Sequence, residues 1–261
     1  MVDAVVIVQM SDPHITAPGV KVGRVDTASM LGAAVQHVNV LNPSLVLLTG
    51  DLVNEGLSEE YAHLRKLLAD LRAPLEVLPG NHDSRDGLRE AFELPPGPLW
   101  RVVDVGLVRL VLLDDVIPGS PNGRLGDVQL AWLDSMLFES AGRPVIVAVH
   151  HAPFATGIEH MDAMGLEDAD AFGPVVGRHP SVERVICGHL HRPIAVRWHG
   201  TVAMTAPSVA HQVALDLEPD QPGRYIFEPP AVLLHRWTPE TGLVTHVSYI
   251  GAFDGPYPFS A

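Results

Sequence analysis

The sequence predicts an α/β layered domain, built on one mixed sheet or on two packed sheets. Three observations predict it. Apolar runs alternate with helix-like stretches through the first two-thirds of the 261 residues, whereas the last third is mostly short strands. No composition shift marks a linker, so residues 1–261 are expected to form one domain: a core over 1–192 and a strand-rich completion over 193–261. A chain of this length, 47% apolar, buries a substantial core without covalent staples.

Each element follows from its local pattern. Residues 4–8 are a short run rich in Val and Ile, the signature of a buried strand. Residues 25–41 carry apolar positions at helical spacing, and 45–48 form a second buried strand. Ser58 is placed to cap a helix with Glu59 and Glu60 in its first turn, where the helix dipole favours acids. Leu64, Leu67, Leu68 and Leu71 give that helix its apolar stripe. Residues 75–78 form a third strand, and 102–105 with 107–113 form a hairpin turning at Gly106. Asp127 opens a helix whose Leu130, Leu133 and Leu137 share one face. Residues 145–149 and 182–186 are two more buried strands. Beyond Pro193 the strands are 194–198, 202–206, 213–217, 231–237 and 244–250, separated by Gly, Pro and Asp turns.

Charge and composition narrow the function. With 17 Lys+Arg against 31 Asp+Glu the net charge is −14, which offers no electrostatic footprint for nucleic acid or anionic lipid. The single cysteine, Cys187, excludes an internal disulfide and a thiolate cluster, and it is expected to act as a small buried hydrophobe. The first residues carry no basic n-region and no run reaches bilayer-spanning length, so a reducing cytoplasm is the expected location. Fourteen histidines beside 17 Lys+Arg are the anomaly, and they ask for a task suited to imidazoles.

That task lies at the strand ends. Five strands run directly into polar knots: Asp12 and His14; Gly50 and Asp51; Gly80, Asn81, His82 and Asp83; His150 and His151; Gly188, His189 and His191. Any one of them is ordinary turn chemistry. Five in the same context point to one crevice, because layered α/β folds bind ligands outside the carboxyl ends of their strands. Asp, His and Asn without thiolate make a mixed O/N donor set suited to Fe, Mn, Zn or Co. The one-residue spacing of Asp12 and His14, repeated in His189 and His191, directs each pair to one side if the segment is extended. Seven candidate ligands exceed one tetrahedral ion, so two ions sharing a bridge are expected.

In order and spacing these motifs resemble the calcineurin-like metallophosphoesterase family over residues 4 to 191. Met161 and Asp162, the segment from Thr205 to His211, and Glu228, Pro229 and Pro230 resemble the bacterial cyclic-nucleotide and glycerophosphodiester phosphodiesterases within it. The resemblance implies a four-layer αββα sandwich of two packed mixed sheets, with a dinuclear centre in the cleft. By position, Asp12, His14, Asp51 and His191 would hold one ion, and Asp51, Asn81, His150 and His189 the other. The first site prefers iron in the family, and Asp51 would bridge. The family's ligand is the histidine directly after the strand, so His150 takes precedence over His151.

The implied reaction is in-line attack on phosphorus by a metal-bridging hydroxide, between ions roughly 3.5–4 Å apart. His82 resembles the family's catalytic histidine, contacting the phosphate or protonating the leaving alkoxide. Asp83 either orients His82 or is an exposed turn residue. His160, Met161 and Asp162 are candidates for a substrate pocket or lid, against an ordinary surface helix. His151 is a residue just outside the ligand set or a loop residue, and His211 either reaches the cleft from the strand-rich third or is a structural histidine, the reading preferred here.

The expected partner is a small phosphodiester, cyclic AMP or a glycerophosphodiester, with no nucleic acid and no membrane, and with homodimers or higher oligomers allowed by the edge strands and the tail 255–261. A protein Ser/Thr phosphatase is disfavoured. Its Arg soon after Gly-Asp and its Glu after Asn-His are absent here, where Leu52 follows Asp51 and Asp83 follows His82. A nuclease would need phosphate-binding cations that this acidic chain lacks. Phosphomonoester hydrolysis and a catalytically silent binding scaffold are the alternatives.

Overall fold

The computed structural model describes residues 4–259. The ends of the expected 1–261 span, and of the tail 255–261, therefore lie outside the described residues.

The chain runs β1 (Val5–Met10), α1 (Thr27–Leu41), β2 (Leu45–Thr49), α2 (Ser58–Leu67), β3 (Leu75–Leu78), α3 (Arg85–Ala91), β4 (Arg101–Val105), β5 (Val108–Leu112), α4 (Gly126–Glu139), β6 (Val145–Ala148), α5 (Glu159–Asp162), α6 (Ala169–Gly177) and β7 (Val182–Cys187). It then continues through β8 (Ile194–Trp198), β9 (Thr201–Thr205), β10 (Gln212–Val213), β11 (Tyr225–Ile226), β12 (Ala231–Thr238) and β13 (Gly242–Tyr249). Sheet one has the order β13-β12-β1-β2-β3 and sheet two the order β4-β5-β6-β7-β9-β8. Both are mixed. β1, β2 and β3 run parallel, β12 runs against them, and the edge strand β13, antiparallel to β12, runs with them again; β5, β6, β7 and β9 run parallel between antiparallel edges β4 and β8.

Strand alternation produces the layers. Val5, Ile7, Leu45 and Leu47 point one way from sheet one and pack on Leu110, Leu112, Ile146 and Ile186 of sheet two. Val8, Met10, Val46 and Leu48 point the other way, onto Leu31, Val35, Val38 and Leu64 of α1 and α2. On the far side Val111, Val147 and Val185 meet Leu133 and Leu137 of α4 and Phe172 and Val176 of α6. The order is helix, sheet, sheet, helix, as the family resemblance implies. Among the described residues no helix is long and apolar enough to cross a membrane.

Local corrections have local causes. Ser58 does not cap its helix: it is the first helical residue, and the cap position is Leu57. Glu60 does the capping, its Oε2 accepting from the backbone N–H of Leu57 (3.2 Å) and Glu55 (2.9 Å). The expected strand 213–217 shrinks to Gln212–Val213 paired with Tyr225–Ile226. Leu215 and Leu217 alternate like strand residues but are exposed, so no apolar face holds them in a sheet. Helices α3, α5 and α6 form where the sequence pattern assigned none; α5 has four residues and α6 carries Pro174, both too irregular for a periodicity signal. Cys187 is fully buried and free, as expected.

Candidate metal centre

The five knots converge above the carboxyl ends of β1, β2, β3, β6 and β7. Backbone bonds zip the first two loops together: Asp12 N–H donates to the Gly50 carbonyl (3.2 Å), His14 to Asp51 (3.0 Å) and Ile15 to Leu52 (3.1 Å). Asp12 and His14 are not extended, as their spacing suggested. Their φ values are +52° and +44°, and Asp51 (+49°), His189 (+65°) and His191 (+47°) share the left-handed region. These five are among nine positive-φ residues other than glycine in the described chain. Each such conformation costs on the order of 1–3 kcal/mol, and its concentration here marks a place where side-chain direction outranks backbone comfort. Gly80 matters for the same reason, since a methyl group there would overlap the Asp51 carboxylate.

Two donor clusters result, with Asp51 between them. On one side Asp51 Oδ2 lies 3.6 Å from His14 Nε2, which is 3.1 Å from His191 Nε2; that nitrogen is 3.6 Å from Asp12 Oδ1. On the other, Asp51 Oδ1 lies 3.4 Å from His150 Nε2, itself 3.2 Å from Asn81 Oδ1. Outer partners fix the tautomers. His150 Nδ1 donates to the Thr49 carbonyl (2.8 Å) and His191 Nδ1 to the His211 carbonyl (3.0 Å), so that Nε2 of each ring faces the cleft. His189 and His191 therefore diverge to opposite clusters, His191 beside Asp12 and His14, His189 beside His150.

The donor set fits metal ions. Asp12 Oδ2 and His189 Nε2 are buried without a hydrogen-bond partner, a costly state that a cation relieves. Burial pushes Asp12 up to about 7, with the neighbouring Asp51 charge adding to it. It pushes His14 down to about 3 and holds His189 and His191 well below the ordinary imidazole value. Neutral imidazoles are the ligating form. Burial would raise Asp51 too, but the His150 and His14 rings hold it well below the carboxylate range. Burial opposes the charged form of His150, yet Asp51 and Asp12 drive it up to about 10, a proton standing where positive charge is wanted.

Around this centre the other candidates fall into place. A ring nitrogen of His82 lies within 4.8 Å of ligand atoms of His14 and Asp51. Its backbone N–H donates to Asp51 Oδ1 (2.9 Å) and its Nδ1 to the Asn54 carbonyl (2.7 Å). Asp83 neither orients His82 nor sits exposed: it is buried and accepts from the N–H groups of Gly80, Leu52 and Val53 and from the Tyr61 hydroxyl. It is a staple between the second and third loops. His151 is buried: its backbone N–H donates to Asp115 (2.8 Å), and its Nδ1 and Nε2 lie 3.0 Å from Asp115 Oδ2 and 3.0 Å from the Pro121 carbonyl.

Met161 and Asp162 line a cavity of ≈ 270 Å³ that also touches His189 and Phe154, while His160 packs against Gly223 away from it. Asp162 is itself tied to Thr156 and Gly157. For His211 the sequence preferred a structural role over one at the cleft, yet its ring lies 4.8 Å from His191 and 5.9 Å from His14, with Tyr225 5.4 Å beyond. No motif surrounds Tyr225; only its aromatic character in a polar turn region would have flagged it.

Comparison with known proteins gives the chain's family and fold. The family model described as calcineurin-like phosphoesterase matches residues 5–193. The chain is 38% identical over 263 residues to a "probable glycerophosphodiester phosphodiesterase GpdQ" of Arcobacter nitrofigilis, covering 97% of this chain and 96% of that protein. It is 36% identical over 215 residues to the 3',5'-cyclic adenosine monophosphate phosphodiesterase CpdA of Pseudomonas aeruginosa, covering 81% and 78%. Among solved structures, a dimetal phosphatase from Danio rerio superposes with a TM-score of 0.66 at 15% identity, over 95% of this chain and 99% of that one, a likeness of fold.

Proposed function

The chain belongs to the calcineurin-like phosphoesterase family, and from that premise we propose that it is a binuclear metal-dependent phosphodiesterase acting on small phosphodiesters, 3',5'-cyclic nucleotides or glycerophosphodiesters. One observation carries the reading: Asp51 divides its two carboxylate oxygens between two histidine clusters, 3.6 Å from His14 and 3.4 Å from His150. Asp12, His14, Asp51 and His191 would hold one ion; Asp51, Asn81, His150 and His189 would hold the other. Iron, manganese, zinc and cobalt all suit such oxygen and nitrogen donors. Bound there, a metal pair supplies Lewis acidity, lowering the pKa of a coordinated water and neutralising charge on the phosphoryl oxygens.

The chain's own residues supply the rest. His82 commits Nδ1–H to the Asn54 carbonyl, so Nε2 is the nitrogen left to carry a proton to the leaving oxygen. A diester leaves as a poorly stabilised alkoxide, and that proton is worth most there. The Asn54 carbonyl also steadies the ring once it is charged. His211 stands beside the first cluster, with the Tyr225 ring against it. Two relatives named for diester substrates support diesters over monoesters.

A substrate panel tests this. Protein stripped of metal and reloaded with Mn2+ or Co2+ is given cyclic AMP, glycerophosphocholine and a phosphomonoester side by side. We expect turnover of a diester to exceed that of the monoester. Turnover of the monoester alone would make the chain a phosphomonoesterase, and silence on all three would make it a binding scaffold.

A further inference from the structure

Between the two sheets a short polar row is set among apolar side chains. Val5 and Ile7 of β1, Leu45 and Leu47 of β2, and Leu233 and Trp237 of β12 fill it with hydrocarbon. On the same strand faces lie Gln9, next after Ile7, and Thr49, next after Leu47, with His235 of β12 level with Ile7 between Leu233 and Trp237; all three are fully buried. Hydrogen bonds run through them in one direction. Arg184 of β7 donates to Thr245 Oγ1 (2.7 Å), which donates to His235 Nδ1 (2.9 Å). His235 Nε2–H donates to Gln9 Oε1 (3.1 Å), and the Gln9 amide donates to Thr49 Oγ1 and to the Cys187 carbonyl (both 2.9 Å).

The path begins and ends on β7, crossing sheet one in between. It bolts β7 to the opposite sheet at Arg184 and Cys187, directly before Gly188, His189 and His191. The joint is close: a side chain at Gly188 would collide with the Ser11 hydroxyl and the Thr49 carbonyl. That same Thr49 carbonyl receives His150 Nδ1–H. A hydrocarbon row of similar volume would hold the sheets together without the desolvation of an amide and an imidazole. It would not fix their offset along the strands, which is what a directed hydrogen-bond path does.

We propose that Gln9 and His235 are positioning residues: their bridge sets the end of β7 against β1 and β2, and so fixes the spacing of His189 and His191 from Asp12 and Asp51. The inference rests on the metal-pair reading above. Loss of partners that orient ligands typically costs about 10–100-fold in metal affinity or activity.

The test is Mn2+ titration by calorimetry, together with the electron paramagnetic resonance signal of exchange-coupled Mn2+ pairs. The variants are Gln9→Leu, His235→Leu and His235→Gln, with Val232→Ala as control; Val232 is buried on the opposite face of β12. Gln9→Leu and His235→Leu are expected to weaken the second Mn2+ equivalent about tenfold or more and to alter the coupling. His235→Gln, which can still donate to Gln9 Oε1, is expected to recover most of both. Val232→Ala should lose stability and keep both. Wild-type coupling and affinity in folded Gln9→Leu or His235→Leu overturn the inference and leave the proposed function standing. So does an equal loss in Val232→Ala. Wild-type protein that takes up no pair of ions overturns the functional reading and this inference with it.

Discussion

The two sheets contribute to the centre in different chemical currencies. Sheet one brings Asp12, Asp51 and Asn81 together with the imidazoles His14 and His82; sheet two brings imidazoles alone, His150, His189 and His191. The sheet-one loops are knitted to each other by backbone hydrogen bonds and by the Asp83 staple. The sheet-two rings are aimed one at a time, His150 by the carbonyl of Thr49 across the layer and His191 by that of His211. Both carboxylates of the two clusters thus sit on sheet-one loops, and the sheet-two loops bring imidazoles to them. Two carboxylates brought together by the docking of separate sheets would oppose that docking. Two carboxylates on adjacent, cross-linked strands leave the repulsion inside one unit, where the Asp51 charge adds to the burial that raises Asp12.

The comparison breaks most visibly at Asp51. Asp51→Asn removes the charge and one of the two oxygens that face the clusters, and we expect loss of both Mn2+ equivalents and of diester turnover by more than about a hundredfold, beyond the cost of an orienting partner. His189→Ala removes a sheet-two donor from one cluster only, so Mn2+ titration should fall to one equivalent. Equal losses in the two variants would show that the sheets do not divide the work in this way.

His82→Ala should come next. Positioned acid catalysis contributes about 10²–10⁴-fold, and the loss should be largest for an alkoxide leaving group and small for p-nitrophenolate. Steady-state kinetics on a leaving-group series measures it. A loss independent of the leaving group would reduce His82 to a phosphate contact.

The knots were legible because chemistry dictated both residue type and place: Asp, Asn and His directly after buried strands are hard to explain as turns five times over. Their convergence by left-handed turns was not legible. Asp12 and His14 look like a strand pair by spacing, and only the backbone, with φ near +50°, shows otherwise. Asp83 was unreadable for a related reason, since its partners are backbone N–H groups of Leu52 and Val53, which have no sequence signature. Gln9 did carry a signal, as the lone polar residue in a run of Val, Ile and Met, but its partner His235 lies 226 residues away. In the last third, residues 213–217 had strand alternation without a surface to pack on, and long-range burial decided against them.

The smallest effect concerns the imidazole that sits between the sheets without facing the cleft. Burial holds His235 down to about 3, with Arg184 adding to the depression. In the unfolded chain it takes up a proton near the ordinary imidazole value of about 6.5, so between those two values the unfolded state binds more protons than the folded one. Stability from this residue is therefore fully present above about pH 6.5 and declines as pH falls toward 3, with a limiting slope on the order of 1.4 kcal/mol per pH unit. His235→Gln has nothing to titrate there, so its urea-unfolding free energy, measured at intervals from pH 7 to pH 4.5 in metal-free protein, should fall less steeply than that of the wild type. Parallel curves would mean that His235 is already charged in the folded layer. The direction of the bridge through Gln9 would then be wrong, because a charged ring donates from both nitrogens and cannot accept from Thr245.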